Sequence, residues 1–155
     1  MVSANRSLCG TALLSVGALD WLARHTDSMS DRNEVVRHYL RYLSACNRRD
    51  WDAIGSFVAD QVLVNGVTRS RSEYVADIRA TTTIFPDYRW ELARAVVEGD
   101  WLAVHLHDSG TRMKPFLDAV GDGSRVETHE LDMYRIVGGL IVEVEGTADN
   151  ARLRQ

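Results

Sequence analysis

The chain has 155 residues, the length of one domain, and its apolar fraction of 45% and charged fraction of 26% are ordinary for a globular protein with a proper core. A formal net charge of −4 without a basic stripe argues against nucleic acid as a partner. Cys9 and Cys46 are far apart and match no metal or redox spacing, so reduced thiols in a cytoplasmic setting are expected.

Residues 8–19 (LCGTALLSVGAL) are small and apolar, with only Arg6 before them. They lack the charged start and cleavage site of a secretory signal, and the run is too short to span a membrane. Residues 1–28 are therefore read as a loosely attached leader, ahead of a domain over residues 29–155. The alternatives are a signal segment or a real docking helix. Asp31 and Glu34 have capping-box spacing, which predicts a helix starting at Asp31. Val35, Tyr39, Tyr42, Leu43 and Cys46 then fall on one helical face.

Asp50 can cap a short second helix holding Ile54 and Phe57. Gln61 to Val67 reads as a short strand ending at Asn65-Gly66. Ser70 and Glu73 form a second capping box, and Tyr74, Val75 and Ile78 give that helix its apolar side. Phe85-Pro86-Asp87 closes it, because proline disfavours helix at the residue before it.

After Asp87 the apolar period changes to two. Trp90 to Val97 is one strand, Glu98-Gly99-Asp100 a turn, and Trp101 to Thr111 a second strand. Arg125 to Asn150 contains two β-rich runs around Gly138-Gly139, a hairpin signal because both turn residues can adopt positive φ. Helices first and antiparallel strands after predict an α+β fold. A curved sheet wrapped on three helices makes a cone whose open end is a ligand cavity.

Side chains two apart on a strand share a face. Thr128, Glu130, Asp132 and Tyr134 point one way, and His129, Leu131 and Met133 the other. Neighbouring carboxylates raise one another's pKa, more so when desolvated, so this face is either a wet outer surface or the floor of a polar pocket. His105 and His107 share a face with Ala103 and Ser109, opposite Leu102, Val104 and Leu106.

Asn47-Arg48-Arg49-Asp50-Trp51-Asp52, the run Phe57 to Gly66, Phe85-Pro86-Asp87, Glu98 to Val104, Ser109-Gly110-Thr111 and Asp132 to Val144 occur in an order that resembles the SnoaL-like polyketide cyclases of the nuclear transport factor two-like superfamily. The resemblance covers about Asp31 to Arg152. It implies an α+β cone, usually a homodimer, without metal or organic cofactor. It also implies intramolecular aldol ring closure, with Asp132 matching the acidic general acid/base. Two positions depart from the family pattern: Arg112 stands where many relatives have histidine, and Glu145 where many have tryptophan. Both are expected to make the pocket more charged.

The candidates are weighed against plainer roles. Asp132 is either the proton-transfer group or a surface partner of Arg135 or Arg112. Glu130 can share a proton with it, and His107 can shuttle one. His105 can contact substrate or face solvent. The two histidines lack a third metal ligand at suitable spacing. Arg112 and Asn65 can steady an oxyanion, or serve as a salt bridge and a turn. Tyr39, Tyr42 and Trp90 are core or pocket wall. The expected reaction is ring closure of a bulky, mostly apolar, carbonyl-bearing small molecule. Alternatives are epoxide opening by paired carboxyls or a non-catalytic binding or dimerisation module.

Overall fold

The computed structural model describes the backbone of residues 16–148 and side chains from residue 31 to residue 147. The chain divides into a unit ending at Asp31 and a unit starting at Arg32, and the packing below concerns the second. Among the described residues there are three helices and a six-stranded sheet. The expected leader, residues 1–28, lies outside the residues whose side chains are described.

Helix α1 spans Val16–Arg48, so the expected start at Asp31 is corrected. Nothing between Asp20 and Ser30 breaks a helix: that run contains neither glycine nor proline. Glu34 does not fold back on a cap. Its carboxylate accepts from Arg37 Nη2 at 2.8 Å and Arg41 Nη2 at 3.2 Å, both further along the helix. The expected apolar face of α1 is buried at Tyr39, Tyr42, Leu43 and Cys46. Burial pushes the Cys46 thiol up to about 12, so it stays an inert core group.

Asp50 caps α2 (Trp51–Ser56) by accepting from Ala53 N at 3.2 Å, and Ile54 beneath it is fully buried. Strand β1 (Val58–Val64) turns at Asn65-Gly66, both at positive φ, into β2 (Val67–Ser70). The short return strand β2 was not expected, since Ser70 also serves as the cap of α3 (Arg71–Ile84). The Ser70–Glu73 capping box is closed in both directions, by bonds of 3.3 and 2.7 Å. Phe85 leaves helical geometry before Pro86, at φ −120° and ψ 85°.

Strands β3 (Arg89–Glu98), β4 (Trp101–Thr111), β5 (Arg125–Val137) and β6 (Leu140–Ala148) complete the sheet in the order β2-β1-β6-β5-β4-β3. All pairings are antiparallel except β1 with β6. Gly138 and Gly139 both have positive φ, the conformation that a two-residue hairpin turn requires. This is the α+β cone expected from the pattern: helices cover one face of a curved, mostly antiparallel sheet. Leu102, Val104 and Leu106 of β4 are buried on that inner face, and Tyr134 of β5 meets Tyr39 and Tyr42 at ring distances of 5.0 and 6.2 Å. Leu131 and Met133 lie on the opposite face, exposed. Among the described residues no helix is long and apolar enough to cross a membrane.

Candidate active site

Antiparallel pairing of β4 and β5 places Leu106 opposite Glu130, Val104 opposite Asp132 and Asp108 opposite Thr128. Period two then gathers Asp108, Glu130 and Asp132 on the inner face of neighbouring strands. Asp108 is 2% exposed, and both of its carboxyl oxygens are buried without a hydrogen-bond partner among the described residues. Tyr88 Oη donates to Glu130 Oε1 at 3.4 Å, and Tyr134 Oη donates to Asp132 Oδ2 at 3.3 Å. No salt bridge among the described residues reaches any of the three carboxyls.

Desolvation without a compensating cation favours the neutral acid. Burial pushes the Asp132 carboxyl up to about 6, with the Tyr134 hydroxyl acting against the rise. Burial also raises Glu130, and the Asp132 charge raises it further. Asp108 is raised by burial and then by the charges of Glu130 and Asp132. Near neutral pH the cluster therefore combines an ionised carboxylate with carboxyls that hold protons. Tyr88 and Tyr134 are raised chiefly by burial, so both remain protonated donors.

Two glycines leave room for this arrangement. A Cβ on Gly146 of β6, the cross-strand partner of Asp132, would overlap Asp132 Oδ1 and lie 2.7 Å from its Cγ. A Cβ on Gly110 would lie 2.9 Å from the Tyr88 ring and 3.1 Å from Phe85 Cβ. Gly146 N–H donates to Asn65 Oδ1 at 2.9 Å, which ties the Asn65-Gly66 turn to the strand carrying that gap.

The cluster borders a cavity of about 370 Å³ between α1, α3 and the sheet. Its wall includes Tyr39, Tyr42, Asn65, Trp90, Glu130 and Tyr134. Tyr42 and Tyr74 hydroxyls share a hydrogen bond of 2.7 Å. Trp90 is fixed by paired backbone bonds to Asn47 at 2.8 and 3.0 Å, and Arg49 lies 5.6 Å above its ring. Asp132 adjoins this wall through its bond to Tyr134.

Of the residues singled out in the sequence, Glu130, Asn65, Tyr39, Tyr42 and Trp90 lie on this wall, with Asp132 bonded to it. Three others do not. His107 and His105 project from the outer face of β4, with His107 paired across the strands to His129, so neither can be the proton partner of Asp132. The physical reason is that Leu102, Val104 and Leu106 claim the inner face of β4. Arg112 is buried, but its guanidinium is engaged by the loop after β4: Nε donates to Val120 O at 2.6 Å and Nη2 to Asp122 Oδ1 at 3.1 Å. It holds that loop and is absent from the cavity wall, so the oxyanion role is corrected. Glu145 is exposed, opposite Met133. Neither departure from the family pattern charges the pocket. A third carboxyl on the inner face comes from Asp108, which continues the run of Leu102, Val104 and Leu106 and which the residue pattern alone does not single out.

Residues 36–155 match the family model described as SnoaL-like polyketide cyclase. Among solved structures the chain is similar to a SnoaL-like polyketide cyclase from Agrobacterium tumefaciens, at 29% identity and TM-score 0.70 over 75% of this chain and 91% of that one. TsrD from Streptomyces laurentii matches at 24% identity and TM-score 0.71, over 79% and 92% of the two chains. IdmH from Streptomyces antibioticus matches at 22% identity and TM-score 0.68, over 76% and 93%. The last two show the common fold alone. The chain has no match among curated proteins.

Proposed function

We propose, from the premise that this chain belongs to the SnoaL-like polyketide cyclase family, that it closes a ring in a bulky, mostly apolar, carbonyl-bearing intermediate of polyketide-type secondary metabolism. The observation that carries this reading is the cation-free carboxyl cluster of Asp108, Glu130 and Asp132 beside an aromatic-walled cavity. A solvated outer face would not gather three cation-free carboxyls, two of them held by tyrosine hydroxyls. A binding module would gain nothing from desolvating them.

Asp132, the carboxyl most readily ionised near neutral pH, removes a proton from the carbon beside a substrate carbonyl. The resulting enolate carbon attacks a second carbonyl of the same molecule, and a C–C bond forms. Glu130, on the cavity wall and holding a proton, protonates the new alkoxide. Asp108, buried beside it, keeps its own proton. Proton count and mass balance without any co-reactant, since the product is an isomer of the substrate. Asn65 Oδ1 is committed to Gly146, which leaves its amide NH₂ to bond a carbonyl of the bound molecule. Tyr39, Tyr42 and Trp90 supply the apolar walls.

A second reading rests on the same separation of protonated and ionised carboxyls. A protonated carboxyl opens an epoxide while Asp132 draws the proton from an internal hydroxyl or a water, giving a cyclic ether or a diol. Incubation with a panel of aromatic poly-β-ketone intermediates and of epoxide-bearing analogues separates the two. The aldol reading expects an isomeric ring product from the ketones, with solvent deuterium entering at the carbon beside the carbonyl. Turnover of the epoxides alone would replace it, and no turnover of either class would favour the binding module. The family's usual homodimer and a cytoplasmic location belong to the proposal as well. Light scattering of the purified chain tests the first and cell fractionation the second.

A further inference from the structure

We propose that His105, His107 and His129 form a binding site for one divalent transition metal of the zinc class, on the sheet face opposite the carboxyl cluster. Residue spacing alone offers two histidines on β4. The third comes from strand register: β5 places His129 directly across from His107 and Leu131 across from His105. The His105 Nε2 to His129 Nδ1 distance is 3.0 Å, and one ring nitrogen from each of the three histidines lies within 4.8 Å of the others. His107 stands edge-on to His129 with ring centres 4.3 Å apart.

Zinc–nitrogen bonds of about 2.0–2.1 Å in a tetrahedral site put ligand nitrogens roughly 3.4 Å apart. His105 and His129 are already close to that spacing, and His107, exposed at the rim, has the rotamer freedom to close the third side. Both strands are held in a long antiparallel ladder, so the backbone positions of all three are set before any ion arrives. Neutral imidazoles select zinc, cobalt, nickel or copper over magnesium or calcium, which demand oxygen ligands. Each ring gives the ion one lone pair. The proton lying between His105 and His129 moves to the other nitrogen of its ring, so neutral histidines release no net proton.

Two carboxylates border the cluster. Glu91 faces His107 across β3 and β4, and Glu127 lies two residues before His129 on the same strand face. Both line a hollow of about 410 Å³ together with His107 and His129. Arg125, also in its wall, is drawn aside by Ser109 at 3.0 Å and Asp87 at 4.0 Å. Arg94 faces His105 across the sheet and repels a cation there, which favours an ion centred toward His107 and His129. A metal at this point would clamp β4 to β5 on the reverse of the segment that carries Glu130 and Asp132. The inference does not depend on the cyclase reading, because its measurement is binding.

The test uses the full chain dialysed against a chelator. Titration calorimetry with Zn²⁺ should show one equivalent bound, Co²⁺ should give the visible absorption of a tetrahedral site, and Mg²⁺ should give no heat. His107→Ala and His129→Ala, with folding checked by circular dichroism, should each weaken Zn²⁺ binding by more than the roughly 10–100-fold that follows loss of a mere supporting partner. Zn²⁺ should raise the Tm of the wild type and leave that of His107→Ala unchanged. Absence of Zn²⁺ binding by the wild type overturns the proposal. So does binding that survives His107→Ala and His129→Ala together, which would place the ligands elsewhere, for instance at His38.

Discussion

Replacing Asp132 with asparagine should stabilise the protein at alkaline pH and have little effect in acid. The carboxyl is raised from an ordinary value of 3.8 to about 6 by burial, a change of about two pH units. At about 1.4 kcal/mol per unit, its ionisation costs the folded state roughly 3 kcal/mol once pH lies above both values. The sign follows from the direction of the shift. A folded-state value above the unfolded one means that the stability present below about pH 4 is lost as pH rises through 6. Asparagine keeps an acceptor for the Tyr134 hydroxyl, and it removes the charge that helps to raise Glu130 and Asp108. Urea unfolding of wild type and Asp132→Asn at pH 8 and pH 4 measures the difference directly. The variant should be about 2–3 kcal/mol more stable at pH 8, equivalent to a Tm gain of roughly 5–10 °C for a chain of this size, and the gap should close at pH 4. A variant less stable than wild type at pH 8, or a difference independent of pH, would refute the claim that this carboxylate is desolvated with no cation beside it and only the Tyr134 hydroxyl to offset the cost.

Gly146→Ala should displace the Asp132 carboxylate, because the added methyl overlaps it; overpacking of this kind costs about 1–3 kcal/mol in chemical unfolding, and turnover should fall with it. Tyr88→Phe removes a donor that favours ionised Glu130, so the limb of the pH–rate profile that reports Glu130 should move to higher pH while the fold is retained. Ser70→Ala opens the capping box of α3 and should cost about 1 kcal/mol in thermal unfolding without shifting the pH profile, since it touches none of the carboxyls.

The helices and strands were legible because capping residues and apolar periods are local signals. Ser70 with Glu73, Asp50, and the Gly138-Gly139 turn all act where the sequence places them. Asp31 with Glu34 carries the same spelling, yet lies inside α1, because a capping box begins a helix only where the preceding chain cannot already be helical. Period two correctly grouped Glu130 with Asp132 and His105 with His107. It says which residues share a face and not which face is inward. For β4 the apolar run Leu102, Val104, Leu106 decides that question against the histidines. The same run leads to Asp108, an overlooked site residue, since aspartate is rarely buried and a single sequence offers no reason to expect an exception. Cross-strand partners were not legible. Register sets Asp108 near Glu130, His129 against His107 and Gly146 against Asp132, and each pairing depends on loop lengths and bulges that only the folded sheet defines.

The most direct test of the proposed chemistry is the steady-state kinetics of Asp132→Asn, alone and combined with Glu130→Gln, on a ketone substrate that the wild type cyclises. Asparagine preserves shape and hydrogen bonding but cannot exchange a proton. General acid/base catalysis contributes roughly 10²–10⁴-fold, so kcat should drop by that factor with KM little changed. Glu130→Gln should cost as much or less, and the double variant should lose less than the sum of the two, because the groups act on one proton transfer. Full activity of Asp132→Asn, or losses that simply add, would contradict the carboxyl pair as the source of the reaction.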